Sequence, residues 1–205
     1  MRGLIGKKIG MTRVFGESNE MIPVTVIEVA PCTVVQVKTS KREGYDAIQV
    51  GSGKISDKKV TRPLDGHFKV NQLSPFRYLR EFESVPGFDY IPGQVFHVGL
   101  FQEGEYVRVS GVSKGKGFTG VIKRHNFRRQ RKTHGNGHTE RAPGSIGQAS
   151  DPSRVFPGMR MAGHHGNSKV TVENLQVVKV DVPNNQLLIK GAVPGARNGT
   201  LIISK

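Results

Sequence analysis

The chain has 205 residues, with 31 Lys and Arg against 16 Asp and Glu, a net charge of +15 and a pI near 10.2. That balance points to a polyanionic partner, nucleic acid before a membrane surface, and says nothing about fold. A single cysteine, Cys32, excludes an internal disulfide, no apolar run approaches the ~18 residues of a membrane span, and the N-terminus lacks a signal-peptide core; a soluble cytosolic protein without a membrane partner is expected.

Residues 4–14 are basic and punctuated by Gly6 and Gly10, which predicts two short strands around a tight bend. Residues 22–29 and 33–38 are rich in β-branched side chains and flank Ala30-Pro31, so they read as a hairpin-like strand pair. Residues 45–50 form a third strand, with Ile48 and Val50 on one face. Residues 51–75 are polar and broken by Gly, Pro and Asp, and read as a loop excursion with one helical turn near His67. Phe76, Tyr78 and Phe82 share a parity and predict a strand, and 84–93 is turn-rich. Residues 94–101 and 106–112 read as strands on either side of Glu103-Gly104.

Periodicity then stops. Residues 114–169 hold twelve Lys and Arg against Glu140 and Asp151, with ten of the 26 glycines and five of the seven histidines. Their apolar residues are scattered, and no period of 3.6 or 2 persists beyond Ile122. Such a stretch buries too little apolar surface to offset its ordering entropy, and it is long for a loop inside a compact domain. β pattern returns at 170–182, where Val178, Val180 and Val182 alternate with Lys179 and Asp181, then at 187–190 and 200–204. Many short strands and no long helix predict a mainly β protein: an antiparallel β-barrel body with a long, basic, largely irregular extension inserted between strands. The body is assigned to 1–113 and 169–205, and the extension to 114–168.

Gly115-Lys-Gly117-Phe-Thr-Gly120 matches GxGxxG, but 126–137 carries no apolar helical face to support a dinucleotide. It reads better as a flexible turn whose backbone approaches phosphates closely. His134, His138, His164 and His165 invite a metal reading, yet Cys32 lies far off in a predicted core strand, so no metal and no cofactor are assigned. No catalytic constellation stands out, and Ser145 lacks the strand–elbow–helix setting of a hydrolase nucleophile. A solvated basic face is the bland alternative for 128–132, but the charge continues with aromatics and glycines interleaved, which suits RNA. Candidate phosphate contacts are Lys114, Lys116, Lys123, Arg124, Arg128, Arg129, Arg131 and Lys132, joined by Arg141, Arg154 and Arg160; candidate base contacts are His125, Phe127, His134 and His138. A free-standing RNA chaperone and a nucleotide-dependent enzyme are the rival readings.

At these residues the chain resembles the bacterial large-subunit ribosomal protein three family. The likeness is carried by Gly3-Leu-Ile-Gly-Lys-Lys-Ile-Gly-Met-Thr12, Ile22-Pro-Val-Thr-Val-Ile27, Gly66-His-Phe68, Ser113-Lys-Gly-Lys-Gly-Phe118, Pro143-Gly-Ser-Ile-Gly-Gln148, Met161-Ala-Gly163, Lys169-Val-Thr-Val172 and Lys190-Gly-Ala-Val-Pro-Gly195, and spans essentially the whole chain. The resemblance implies a structural, non-enzymatic role on cytoplasmic ribosomes, with large-subunit ribosomal RNA and neighbouring large-subunit proteins as partners and no small-molecule substrate. It implies a barrel on the outside of the subunit, an extension reaching through RNA toward the peptidyl transferase centre, and an early role in assembly near the 3′ domain of the RNA. It also implies N-methylation of Gln148 by a glutamine methyltransferase. Many members carry tryptophan where this chain has His125.

Overall fold

The computed structural model describes residues 2–16 and 19–205. They divide into two compact units, one of residues up to Val112 with Lys169–Lys205, the other Ser113–Ser168. The fold is mainly antiparallel β, as the strand pattern implies.

In the first unit, β1 (Gly3–Phe15), β2 (Met21–Glu28), β7 (Tyr106–Val112), β10 (Lys169–Asp181), β11 (Gln186–Lys190) and β12 (Thr200–Ser204) close in the order β1-β12-β7-β10-β11-β2. Every neighbouring pair is antiparallel. The alternation that marks the strands in sequence delivers Leu4, Ile27, Val109, Val177, Leu187, Ile189, Leu201 and Ile203 to one buried core. Burial of such side chains, about 1.5–3 kcal/mol each, is the main favourable term.

β3 (Cys32–Lys38), β4 (Ala47–Lys54), β5 (Phe76–Glu83) and β6 (Val95–Phe96) make a second sheet ordered β5-β4-β3-β6. The short helix α1 (Ser40–Glu43) links β3 to β4, and α2 (Arg62–Lys69) links β4 to β5. Phe68 of α2 is buried edge-on to Phe76, and its neighbour His67 forms a 2.7 Å hydrogen bond with Gln49 of β4. Cys32 is buried, as expected of a structural thiol, and burial pushes its pKa up.

Four local expectations change. The two strands expected in 4–14 are one: residues 3–7 pair with β12 and 7–15 with β2, and a bulge between Lys8 and Gly10 turns the strand without breaking it. There the Lys8 ammonium is buried and donates to the carbonyls of Val193 (2.8 Å) and Gly195 (3.1 Å), holding the 191–199 loop. The expected pairing of 22–29 with 33–38 does not form; β2 joins β1 and β11, while β3 joins β4 and β6. Pro31 has no N–H for a ladder, and the chain changes sheets there. The excursion begins later than Gly51, because β4 runs on to Lys54; a Cβ at Gly51 would lie 2.5 Å from the Phe76 ring, so glycine here admits the neighbouring strand instead of ending its own. The strand expected over 94–101 is only Val95–Phe96, followed by a 3-10 turn at Val98–Leu100. Val98 and Phe101, three apart, both reach the core, which a turn of three residues permits and a strand of period two does not.

Candidate nucleic-acid interface

The second unit starts as a two-stranded ribbon. Ser113 N–H donates to Ser168 O, Lys116 N–H to His165 O and His165 N–H to Gly117 O, each at 2.9 Å. The ribbon continues as β8 (Phe118–Thr119) paired with β9 (Gly163–His164). A five-residue helix, α3 (Val121–His125), follows Gly120, buries Val121, and stops at Asn126, whose φ of 60° is left-handed. So the GxGxxG stretch does precede a helix, but one of five residues entered from an antiparallel ribbon, not the long helix of a parallel βαβ unit.

Two of the candidate residues brace this root. Arg124 Nη1 donates to Met161 O at 2.7 Å, and His125 Nε2 shares a 3.1 Å hydrogen bond with the same carbonyl. Both side chains are half-buried, and His125 lies 6.1 Å from the half-buried Phe127 ring. Lys114, Lys116, Lys123, Arg128, Arg131, Lys132, Arg141, Arg154 and Arg160 are all exposed, as are His134 and His138. Arg129 is exposed but pairs with Glu140 at 2.8 Å, a contact flanked by Gln130 N–H donating to Glu140 O. Asn136 donates to Arg131 O and accepts from Thr139, which closes the 131–139 turn. Further on, Arg154 sits over the Phe156 ring at 5.3 Å, and Ser145 Oγ donates to Gly147 O at 2.9 Å beside a shallow cavity that Gln148 and Arg154 help to line. Gln148 is exposed.

The result is a surface of cations almost without carboxylates, over a backbone that a polyanion can approach. Phe118, 80% exposed among those cations and paired across the ribbon with His164, is an aromatic face absent from the candidates above; an aromatic between glycines is its signal in the sequence. His165, weighed in the sequence only as a metal ligand, has a different setting here. Its Nδ1 is buried and without a hydrogen-bond partner, and burial, then the charges of Lys116, Arg124, Lys123 and His125, hold its pKa below the ordinary 6.5. Below 6.5 the unfolded chain binds a proton that the folded one resists, so the root should lose stability as pH falls through that range and be unaffected above it. A ring-proton NMR titration of the free protein should place the His165 midpoint below 6.5, and added RNA should raise it by neutralising Lys116, Lys123 and Arg124. A midpoint at or above 6.5 without RNA would contradict the geometry.

Trypsin provides a second check. Residues 126–141 have no regular structure and carry exposed Arg and Lys. In RNA-free protein the first cuts should fall within 123–141, and protection there would show an order that the few local hydrogen bonds do not supply.

Among the described residues, no three His, Cys, Asp or Glu side chains come together as a metal set, and no helix is long and apolar enough to cross a membrane.

Comparison with known proteins adds the family. Residues 88–186 match the family model described as Ribosomal protein L3. The chain is 48% identical over 205 residues to the large ribosomal subunit protein uL3 of Herpetosiphon aurantiacus, covering 100% of this chain and 96% of that protein. It is 53% identical over 203 residues to uL3 of Thioalkalivibrio sulfidiphilus (98% and 95% covered), and 52% over 201 residues to uL3 of Acidithiobacillus ferrooxidans (98% and 96%).

Proposed function

This chain belongs to the uL3 family of large-ribosomal-subunit proteins, and on that footing we propose that the unit Ser113–Ser168 is an RNA-penetrating extension which binds large-subunit ribosomal RNA. The observation that carries the reading is the exposed run of cations with Glu140 and Asp151 as the only acids. Lys114, Lys116, Lys123, Arg128, Arg131 and Lys132 bind phosphates, and Arg141, Arg154 and Arg160 continue the contact toward the far loop. Arg124 and His125 hold α3 to Met161 and offer their remaining edges to RNA, while Phe127, Phe118, His134 and His138 meet bases. The barrel body anchors the protein on the subunit, the extension reaches toward the peptidyl transferase centre, and ordering of the extension by RNA serves early assembly. The role is structural, on cytoplasmic ribosomes beside other large-subunit proteins.

Sucrose-gradient fractionation of cell extract tests this directly. The chain should sediment with large subunits and stay bound through a moderate salt wash; free sedimentation would favour an RNA chaperone instead. Gln148 stands exposed on a turn whose Gly144 has a φ of 84°, open to a glutamine methyltransferase before assembly. N-methylation would replace one amide hydrogen and leave the acceptor oxygen and charge unchanged. Peptide mass spectrometry of subunit-derived protein should show a 142–154 peptide heavier by one methyl group, and an unmodified peptide would remove the methylation claim alone.

A further inference from the structure

The edge of the second sheet leaves a vacancy of a specific shape. β5 pairs with β4 alone, and among the described residues no backbone hydrogen bond reaches its other side. The Leu79 carbonyl instead accepts from the Arg80 guanidinium at 2.9 Å, a side chain standing where a neighbouring strand's N–H would be. N–H and C=O of one residue point the same way along an antiparallel strand and alternate between residues, so Glu81 and Glu83 share the outward direction of Leu79.

Beside this edge runs a groove of about 730 Å³ within the first unit. Residues 80–83, four in succession and of both parities, line it, so β5 presents its edge and not a face. The opposite wall runs over three adjacent barrel strands: Lys169, Thr171 and Glu173 of β10 and Thr200, Ile202 and Ser204 of β12 alternate as an outward face does, and β7 between them adds Arg108, Ser110, Gly111 and Val112. An edge on one side and a side-chain face on the other is the environment of a strand.

We propose that this groove receives an extended peptide segment of a neighbouring large-subunit protein, which adds to β5 as a fifth strand. The partner's identity rests on the ribosomal reading above; the shape of the site does not. The edge itself selects peptide over RNA, because the outward N–H and C=O groups of alternate residues match the donors and acceptors of another strand. Arg2, Arg80, Arg108, Lys169 and Lys205 line the groove with Glu81, Glu83 and Glu173, so the matching peptide carries both signs with acidic residues in excess. Charges on β5 also keep two copies of this chain from pairing edge to edge, and a partner of complementary sequence escapes that penalty.

The test uses the full-length chain with a photo-crosslinking benzoylphenylalanine at Thr171, expressed in cells and recovered in large subunits. Mass spectrometry should find the crosslink on one segment of a single ribosomal protein. Amide exchange across residues 79–83 should be at least about tenfold slower in subunits than in free protein. Glu83→Pro removes an outward N–H without touching the ladder to β4, and should reduce the crosslink about tenfold while the chain still sediments with subunits. A crosslink to RNA, no crosslink, unaltered exchange, or a crosslink that survives Glu83→Pro each overturns the strand addition. A chain absent from the large-subunit fraction overturns the ribosomal reading and this partner with it.

Discussion

Raising monovalent salt from about 50 to 200 mM should weaken binding of this chain to ribosomal RNA by roughly 10⁴–10⁵-fold, because each neutralised phosphate releases condensed counterion. The nine phosphate contacts proposed above, at about 0.7–0.9 counterions each, give a log–log slope of about −6 to −8. Arg124 and Arg129 already have protein partners, whereas Arg128, Arg131 and Lys132 are exposed and make no ion pair among the described residues. Replacing those three with glutamine should flatten the slope by about 2–3, using the same per-phosphate value. Filter binding or fluorescence anisotropy over a salt series measures both. A nearly flat dependence would show that shape and apolar contact govern recognition, and the exposed cations would need another explanation.

Gly166→Ala should have the largest effect of any single substitution in the second unit. Gly166 has a φ of 74°, and a Cβ there would lie 2.1 Å from the carbonyl oxygen of Lys114. The left-handed conformation costs a non-glycine residue roughly 1–3 kcal/mol, and a clash with backbone cannot be relieved by rotating a side chain. Relief requires the two strands of the root to separate, which breaks the bonds between Lys116 and His165 and between His165 and Gly117. Amide exchange at Lys116 and His165 should rise at least about tenfold, with the barrel amides unchanged. Subunit assembly should slow, since the extension would enter RNA from a disordered base. Native exchange at both amides would show that the root tolerates a side chain, and the close approach would then have no consequence.

The contrast between these two predictions shows what sequence could and could not reveal. The salt slope depends on charge density, which needs no partner in the fold, and it can be read from 114–169 directly. The Gly166 effect depends on Lys114, which comes within van der Waals reach only when the ribbon closes. Arg124 and His125 make the same point: they look like free RNA contacts until Met161, more than thirty residues on, is seen to take a hydrogen bond from each. Phe118 is one of the scattered apolar residues of 114–169, and its 80% exposure could not be read there, because exposure is a property of the folded surface.

By itself the sequence determined the class of the protein: strands where β-branched residues alternate, a basic stretch that cannot form its own core, and a polyanion as the group able to order it. These are local properties, set by side-chain chemistry within a few residues. Tertiary structure alone decided which strand lies beside which. β1 divides its length between β12 at the far end of the chain and β2 next in sequence, with Gly3 opposite Ser204 and Phe15 opposite Met21. β2 and β3, neighbours in sequence, belong to different sheets, and Gly51 continues a strand because Phe76 fills the space above it. The physical reason is common to all three. A strand satisfies only half its hydrogen bonds with any one neighbour, and alternation records which face is buried but not whose backbone completes the ladder.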